Sequence, residues 1–180
     1  MHKLLVTTVL TALSFNVSAA LLTNGSFEDG LTGWECSGAD RCWTNEYFVA
    51  DHGIRYFSGY AHGGNATLSQ TIDTIIGVEY DISFAYFSSS DANGQTLQLS
   101  VNDSISQVPM YFPGYDVGGW TTYNTTFTAD SLTTDISFLF ETAGGVWQID
   151  NVRVVPIPAA VWLFGSALAG LGWMRRKQTV

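Results

Sequence analysis

Glu79-Tyr80-Asp81-Ile82-Ser83-Phe84-Ala85-Tyr86 alternates acid, hydroxyl or, at Ala85, small side chains with large apolar ones. Successive side chains of an extended strand point to opposite faces, so a period of two sets one face on a core and the other in water. Thr96-Leu97-Gln98-Leu99-Ser100-Val101 repeats the pattern, as does Thr134-Asp135-Ile136-Ser137-Phe138-Leu139-Phe140. Threonine, valine, isoleucine and aromatics dominate these runs, as pleated and half-buried surfaces prefer. Between them stand Asp91-Ala92-Asn93-Gly94, Asn102-Asp103, Gly118-Gly119 and Gly144-Gly145, residues that accept the dihedrals of tight turns. About eight or nine strands follow from Leu22 onward and no amphipathic helix interrupts them, which predicts an all-β sandwich.

Both flanks read differently. His2 and Lys3 precede an apolar and hydroxyl stretch from Leu4 to Val17, and Ser18-Ala19-Ala20 closes it. A basic start, a short apolar centre and a small-residue exit predict a signal peptide over 1–20, cut after Ala19 or Ala20. At the other end, Ile157 to Met174 holds eighteen residues without a charge, ahead of Arg175-Arg176-Lys177. As a helix it would rise about 27 Å, close to the bilayer's hydrocarbon thickness. The basic cluster would stay cytoplasmic as a stop-transfer signal, leaving residues 21–154 outside.

That middle segment is sharply acidic. All sixteen acids of the chain lie between Glu28 and Asp150, against Arg41, Arg55 and Arg153, which leaves it at −13. Such a surface repels a phosphate backbone and excludes nucleic acid as a partner, whereas cations or neutral polymers suit it. Cys36 and Cys42 are the only cysteines, spaced closely in CSGADRC. In an oxidising compartment the expected outcome is a local disulfide.

The run VPIPAAVWLFGSALAGLGWMRRK, residues 155–177, resembles the VPLPA variant of the PEP-CTERM sorting tail, with isoleucine where leucine is usual. The resemblance implies that Val155, Pro156, Ile157, Pro158, Ala159 and Ala160 form a motif recognised by an exosortase of Gram-negative bacteria. The tail from 155 to 180 would then be a membrane anchor in the precursor. Processing would send the rest to the cell surface or extracellular matrix, in the setting of exopolysaccharide and biofilm.

The acidic segment carries a second resemblance. Leu22-Thr23-Asn24-Gly25-Ser26-Phe27-Glu28-Asp29-Gly30, with Trp34 just after, looks like the opening strand of galactose-binding-like jelly rolls, a group rich in carbohydrate-binding modules. Trp147-Gln148-Ile149-Asp150-Asn151-Val152-Arg153-Val154 resembles the closing strand, and Ala66–Thr71 and Gly119–Tyr123 resemble internal ones. The resemblance implies a structural calcium ion where the first and last strands meet, at Glu28 and Asp150, with Asn24 contributing through its backbone. Two carboxylates plus carbonyls suit a cation that takes six to eight hard oxygens.

Sugar binding needs aromatic platforms for ring faces and polar groups for hydroxyls. Tyr111, Phe112 and Tyr115, in the loop Met110–Asp116, form one candidate set, and Trp43 with Tyr47 a second; Trp120 and Trp147 fall in strand patterns and are expected in the core. No serine sits in a nucleophile-elbow sequence and no histidine pair has zinc-ligand spacing, so no catalytic residue is assigned. The expected function is an exported module that binds extracellular polysaccharide. A structural matrix protein without a glycan site, or a small glycoside hydrolase, are the alternatives.

Overall fold

The computed structural model describes residues 21–114 and 119–157. The leader, Tyr115, and the tail from Pro158 onward with Ala159, Ala160 and the basic cluster lie outside the described residues. The expected transmembrane helix falls there as well. The compact unit that carries the described residues runs Ala19–Ile157.

Ten strands build it: β1 (Glu35–Ser37), β2 (Arg41–Asn45), β3 (Tyr56–Tyr60), β4 (Ala66–Asp73), β5 (Glu79–Ser88), β6 (Thr96–Val101), β7 (Ser104–Gln107), β8 (Thr121–Thr128), β9 (Thr133–Glu141) and β10 (Trp147–Pro156). They form two antiparallel five-stranded sheets, sheet A in the order β1-β4-β9-β6-β7 and sheet B in the order β2-β3-β10-β5-β8. Most connections cross from one sheet to the other. No helix occurs among the described residues. The period-two runs are β5, β6 and β9, each with its apolar residues inward. Phe138 and Phe140 of sheet A meet Phe84 and Phe57 of sheet B, with ring centroids 4.8 and 5.8 Å apart. Trp147 is fully buried and its indole N–H finds the carbonyl of Glu141 at 3.1 Å. Such rings dominate core energetics because each removes so much apolar area from water.

The opening stretch 22–30 is not the strand its resemblance implied. It is a succession of turns, because Asn24 and Phe27 adopt φ of 51° and 55° and no strand can pass through left-handed residues. The Asn24 side chain organises it, donating to the carbonyls of Gly30 (3.0 Å) and Thr32 (3.3 Å) and accepting from the amide of Asp29. Phe27 then enters the core against Trp34 and Phe57, at 5.3 and 5.8 Å.

Two details place functional residues. Cys36 and Cys42 are joined, linking β1 of sheet A to β2 of sheet B. In β10 the register slips between Asp150 and Arg153 at a bulge where Asn151 has φ 52°. Asp150 faces outside by alternation from the inward Ile149, and the extra residue after it returns Val152 to the core. β10 also runs two residues into the sorting motif, with Val155 opposite Asp81 and Pro156 opposite Tyr80.

Candidate functional site: the outer face of sheet B

Phe57 and Gly59 face the core, so Tyr56, Ser58 and Tyr60 must face away from it. Register then fixes a row across the outer face of sheet B: Trp43 opposite Ser58, Ser58 opposite Gln148, Gln148 opposite Phe87. Trp120, just ahead of β8, closes the row with its ring 4.7 Å from Phe87.

Half of this row is covered. Residues 46–55, between β2 and β3, fold back over it as a strap, and Phe48 inserts against Phe87 at 5.6 Å. The strap is fastened along its length. Its Phe48 amide donates to the Tyr56 hydroxyl at 2.9 Å, and the Val49 carbonyl accepts from the Trp120 indole at 2.8 Å. The His52 amide donates to Asp150 at 2.8 Å, and the amides of Ile54 and Arg55 both donate to Glu28 at 2.7 Å. Asn151 donates to Asp51 at 2.8 Å. Tyr56, Phe87 and Asp150 are consequently buried on a face that in most sandwiches meets water.

Trp43 stands at the other end of the row, next to the buried Ser58. Trp43 is half-buried, with the Arg41 guanidinium 4.5 Å from its ring centroid. Tyr60 stands opposite Arg41 and stacks with His62 at 6.3 Å, while the His62 amide donates to Asp40 at 2.8 Å. The floor here is polar. Ser58 is fully buried with an unpartnered hydroxyl, and Gln148, oriented with its amide nitrogen inward, donates to the carbonyls of Phe87 (3.0 Å) and Val146 (2.9 Å). Flat rings flanked by a five-donor guanidinium are what a sugar face and its hydroxyls call for.

The other candidates are dispersed. Tyr47 is 82% exposed on the strap, edge-on to Phe48 at 4.9 Å. Tyr111 is half-buried against the core and its carbonyl accepts from Ser88, so much of its ring serves packing rather than an open platform. Phe112 follows it at intermediate burial. Trp147 is core as expected, but Trp120 is not: it packs on the outer face between Phe87 and Tyr56. A polar depression of about 370 Å³ on sheet A, lined by Ser100, Asn102, Asp103, Thr133 and Asp135, holds no ring to stack on.

Glu28 and Asp150 both hold the strap, in opposite electrostatic states. Two amide donors, from Arg55 and then Ile54, keep the exposed Glu28 below its ordinary pKa. Burial pushes Asp150 up from 3.8 to about 6, against the lowering effect of the His52 and Asn151 amides and with help from the Asp51 charge. A carboxyl that prefers its proton when folded stabilises the fold fully below 3.8, and that contribution is lost as pH rises through about 6. The gap amounts to about 3 kcal/mol. In EDTA-treated protein the melting temperature should therefore fall between pH 4.5 and 6.5, and Asp150→Asn should flatten that fall. An equal slope in both proteins would show that Asp150 does not titrate there.

Among the described residues no three His, Cys, Asp or Glu side chains converge on one point. A cation at Glu28 or Asp150 would draw most of its oxygens from backbone carbonyls and water. The Asn24 carbonyl already accepts from the Phe27 amide and the Trp34 indole, both at 3.1 Å, which occupies its two lone pairs.

The family described as proteins of unknown function, DUF642, matches residues 44–154, from within β2 to near the end of β10. The chain belongs to that family. No curated protein matches the sequence. Among solved structures, this DUF642 chain is similar to TmCBM61 in complex with beta-1,4-galactotriose: 19% identity, TM-score 0.63, covering 78% of this chain and 100% of that one. It is also similar to the CBM22-1 xylan-binding domain of Paenibacillus barcinonensis Xyn10C, at 14% identity and TM-score 0.59, covering 81% and 99%. A family 35 carbohydrate-binding module from Clostridium thermocellum follows at 12% identity and TM-score 0.54, covering 69% and 93%. At these identities the likeness is one of fold. The DUF642 sandwich has the jelly-roll architecture of carbohydrate-binding modules.

Sequence reasoning missed Ser58, Phe87, Gln148 and the strap's Phe48. The available signal was in β5, where strict alternation fails after Phe84: Ala85, Tyr86 and Phe87 are buried in succession, as in a strand covered on both faces.

Proposed function

We propose that this DUF642 domain is an exported, non-catalytic module that holds a neutral polysaccharide on the outer face of sheet B, with Trp43 as its stacking platform. The observation that carries the reading is the half-buried Trp43 with the exposed Arg41 guanidinium over its ring and Tyr60 opposite Arg41, above the buried Ser58 and Gln148. Of the structures with a similar fold, one is in complex with beta-1,4-galactotriose and another is a xylan-binding domain, which supports a neutral glycan as the class of ligand. The −13 charge of the segment favours neutral over anionic chains. Electrophoresis through gels cast with neutral polysaccharides tests it: the protein should be retarded there and not in gels of a polyuronate. Unchanged mobility in every neutral gel would sink the reading.

The VPIPA tail supports export and exosortase sorting in a Gram-negative bacterium, with the module delivered to the cell surface or matrix. A disulfide across the sandwich suits an oxidising compartment. For the carboxylates at the strap we propose a structural calcium ion, held by Glu28 and Asp150 with backbone oxygens, that locks the strap down. At neutral pH, EDTA should lower the melting temperature and added calcium restore it. Identical melting curves in both would remove the ion from the account.

A further inference from the structure

β10 leaves the sandwich with no slack. Val155 and Pro156 are its last paired residues, and the Ile157 amide still donates to the Glu79 carbonyl at 2.8 Å. No charge occurs from Val154, still within β10, to Met174. No polar spacer therefore separates the sheet from the segment read above as a membrane helix.

Two loops flank this exit. Residues 74–78 join β4 to β5, and residues 129–132 join β8 to β9. They are tied together: the Thr74 amide donates to the Leu132 carbonyl at 2.8 Å, its hydroxyl to Ser131 at 3.0 Å, and the Gly77 amide to Ala129 at 2.7 Å. The Ile75 amide donates to the hydroxyl of Tyr80, which stands opposite Pro156. Those bonds hold the loop pair against the exit strand. At its tip Ile75, Ile76 and Leu132 are 62%, 60% and 69% exposed. Three large aliphatic side chains, held together in water on fixed loops, mark a contact surface.

We propose that Ile75, Ile76 and Leu132 form a lipid-contacting foot, which enters the headgroup region of the bilayer to which the tail after Ile157 is assigned. The inference rests on reading the tail as a membrane segment. Burial of its aliphatic area in the headgroup region is what would hold it there. Asp73, Glu79 and Asp130 surround it, and the chain's two lysines, Lys3 and Lys177, lie outside the described residues. The contact is apolar rather than polybasic, so it takes zwitterionic lipid and gains nothing from anionic lipid. Phe87 stands eight residues up β5 from Glu79, which lifts the Trp43 row about 26 Å above the exit.

The test uses the full chain in phosphatidylcholine vesicles, kept oxidised, with an environment-sensitive fluorophore on Ile76→Cys and, as control, on Asn93→Cys in the loop at the opposite end. The probe at 76 should emit further to the blue and be quenched about threefold more by headgroup spin-labelled lipid than the probe at 93. Equal, water-like emission at both positions in vesicle-bound protein overturns the foot and leaves the tail's reading intact. Protein that does not float with the vesicles overturns both. Quenching at 76 by a second labelled copy, without quenching by lipid, assigns the surface to self-association and overturns the lipid contact.

Discussion

Alanine in place of Gly25 should lower the melting temperature of the domain by about 12 °C. The Gly25 carbonyl accepts from the Val152 amide at 2.8 Å, which fastens the turned opening segment to the bulge of β10. A Cβ at Gly25 would overlap the carbonyl oxygen of Val152, and backbone on both sides has nowhere to retreat. The segment must lift, and with it goes Phe27, fully buried between Trp34 and Phe57. Vacating a buried phenylalanine site costs about 3 kcal/mol or more, and the lost hydrogen bond adds to that. Gly30→Ala separates space from strain. Gly30 sits at φ 63° with nothing near its missing Cβ, so that change should cost only about 1 kcal/mol of left-handed strain. Equal melting shifts for the two variants would show that the Val152 contact does not govern the segment.

The second large effect concerns binding. Trp43→Ala should weaken retention in a neutral polysaccharide gel by about thirtyfold or more, the consequence of removing an aromatic anchor worth about 2 kcal/mol. Trp43 contributes to a face rather than to the core, so the variant should melt within a few degrees of the parent. Trp43→Phe keeps a ring for the Arg41 guanidinium to cover and should retain part of the affinity. Tyr47→Ala, on the strap and away from the row, should change little. A folded Trp43→Ala protein with full retention would place the glycan elsewhere or remove it.

How far the chain could be read in advance follows from which forces are local. The strands β5, β6 and β9 were evident because one wet face and one dry face leave a period of two in the sequence. The opening NGSFEDG was misjudged as a strand, since its shape depends on left-handed Asn24 and Phe27 and on a hydrogen bond to Val152, far along the chain. Trp43 was singled out as a candidate, but its neighbours were not. Ser58 and Gln148 join it only through strand register, and Trp120, expected in the core from its strand pattern, packs instead on the outer face beneath a strap about seventy residues away in sequence. Glu28 and Asp150 were expected to share a calcium ion, and in the structure each accepts from different amides of the strap. That both would close on the amides of the strap had no local signature.

The order of strands in sheet B has a consequence for biogenesis. β10, the last strand made, lies in the middle of its sheet with β3 on one side and β5 on the other, and it is the surface on which the opening segment docks. Sheet A has all five of its strands once Glu141 is made, but sheet B does not. Until residue 156 arrives, β2 and β3 have no neighbour to join them to β5 and β8. Sheet B therefore closes late, with most contacts of the fold long in sequence.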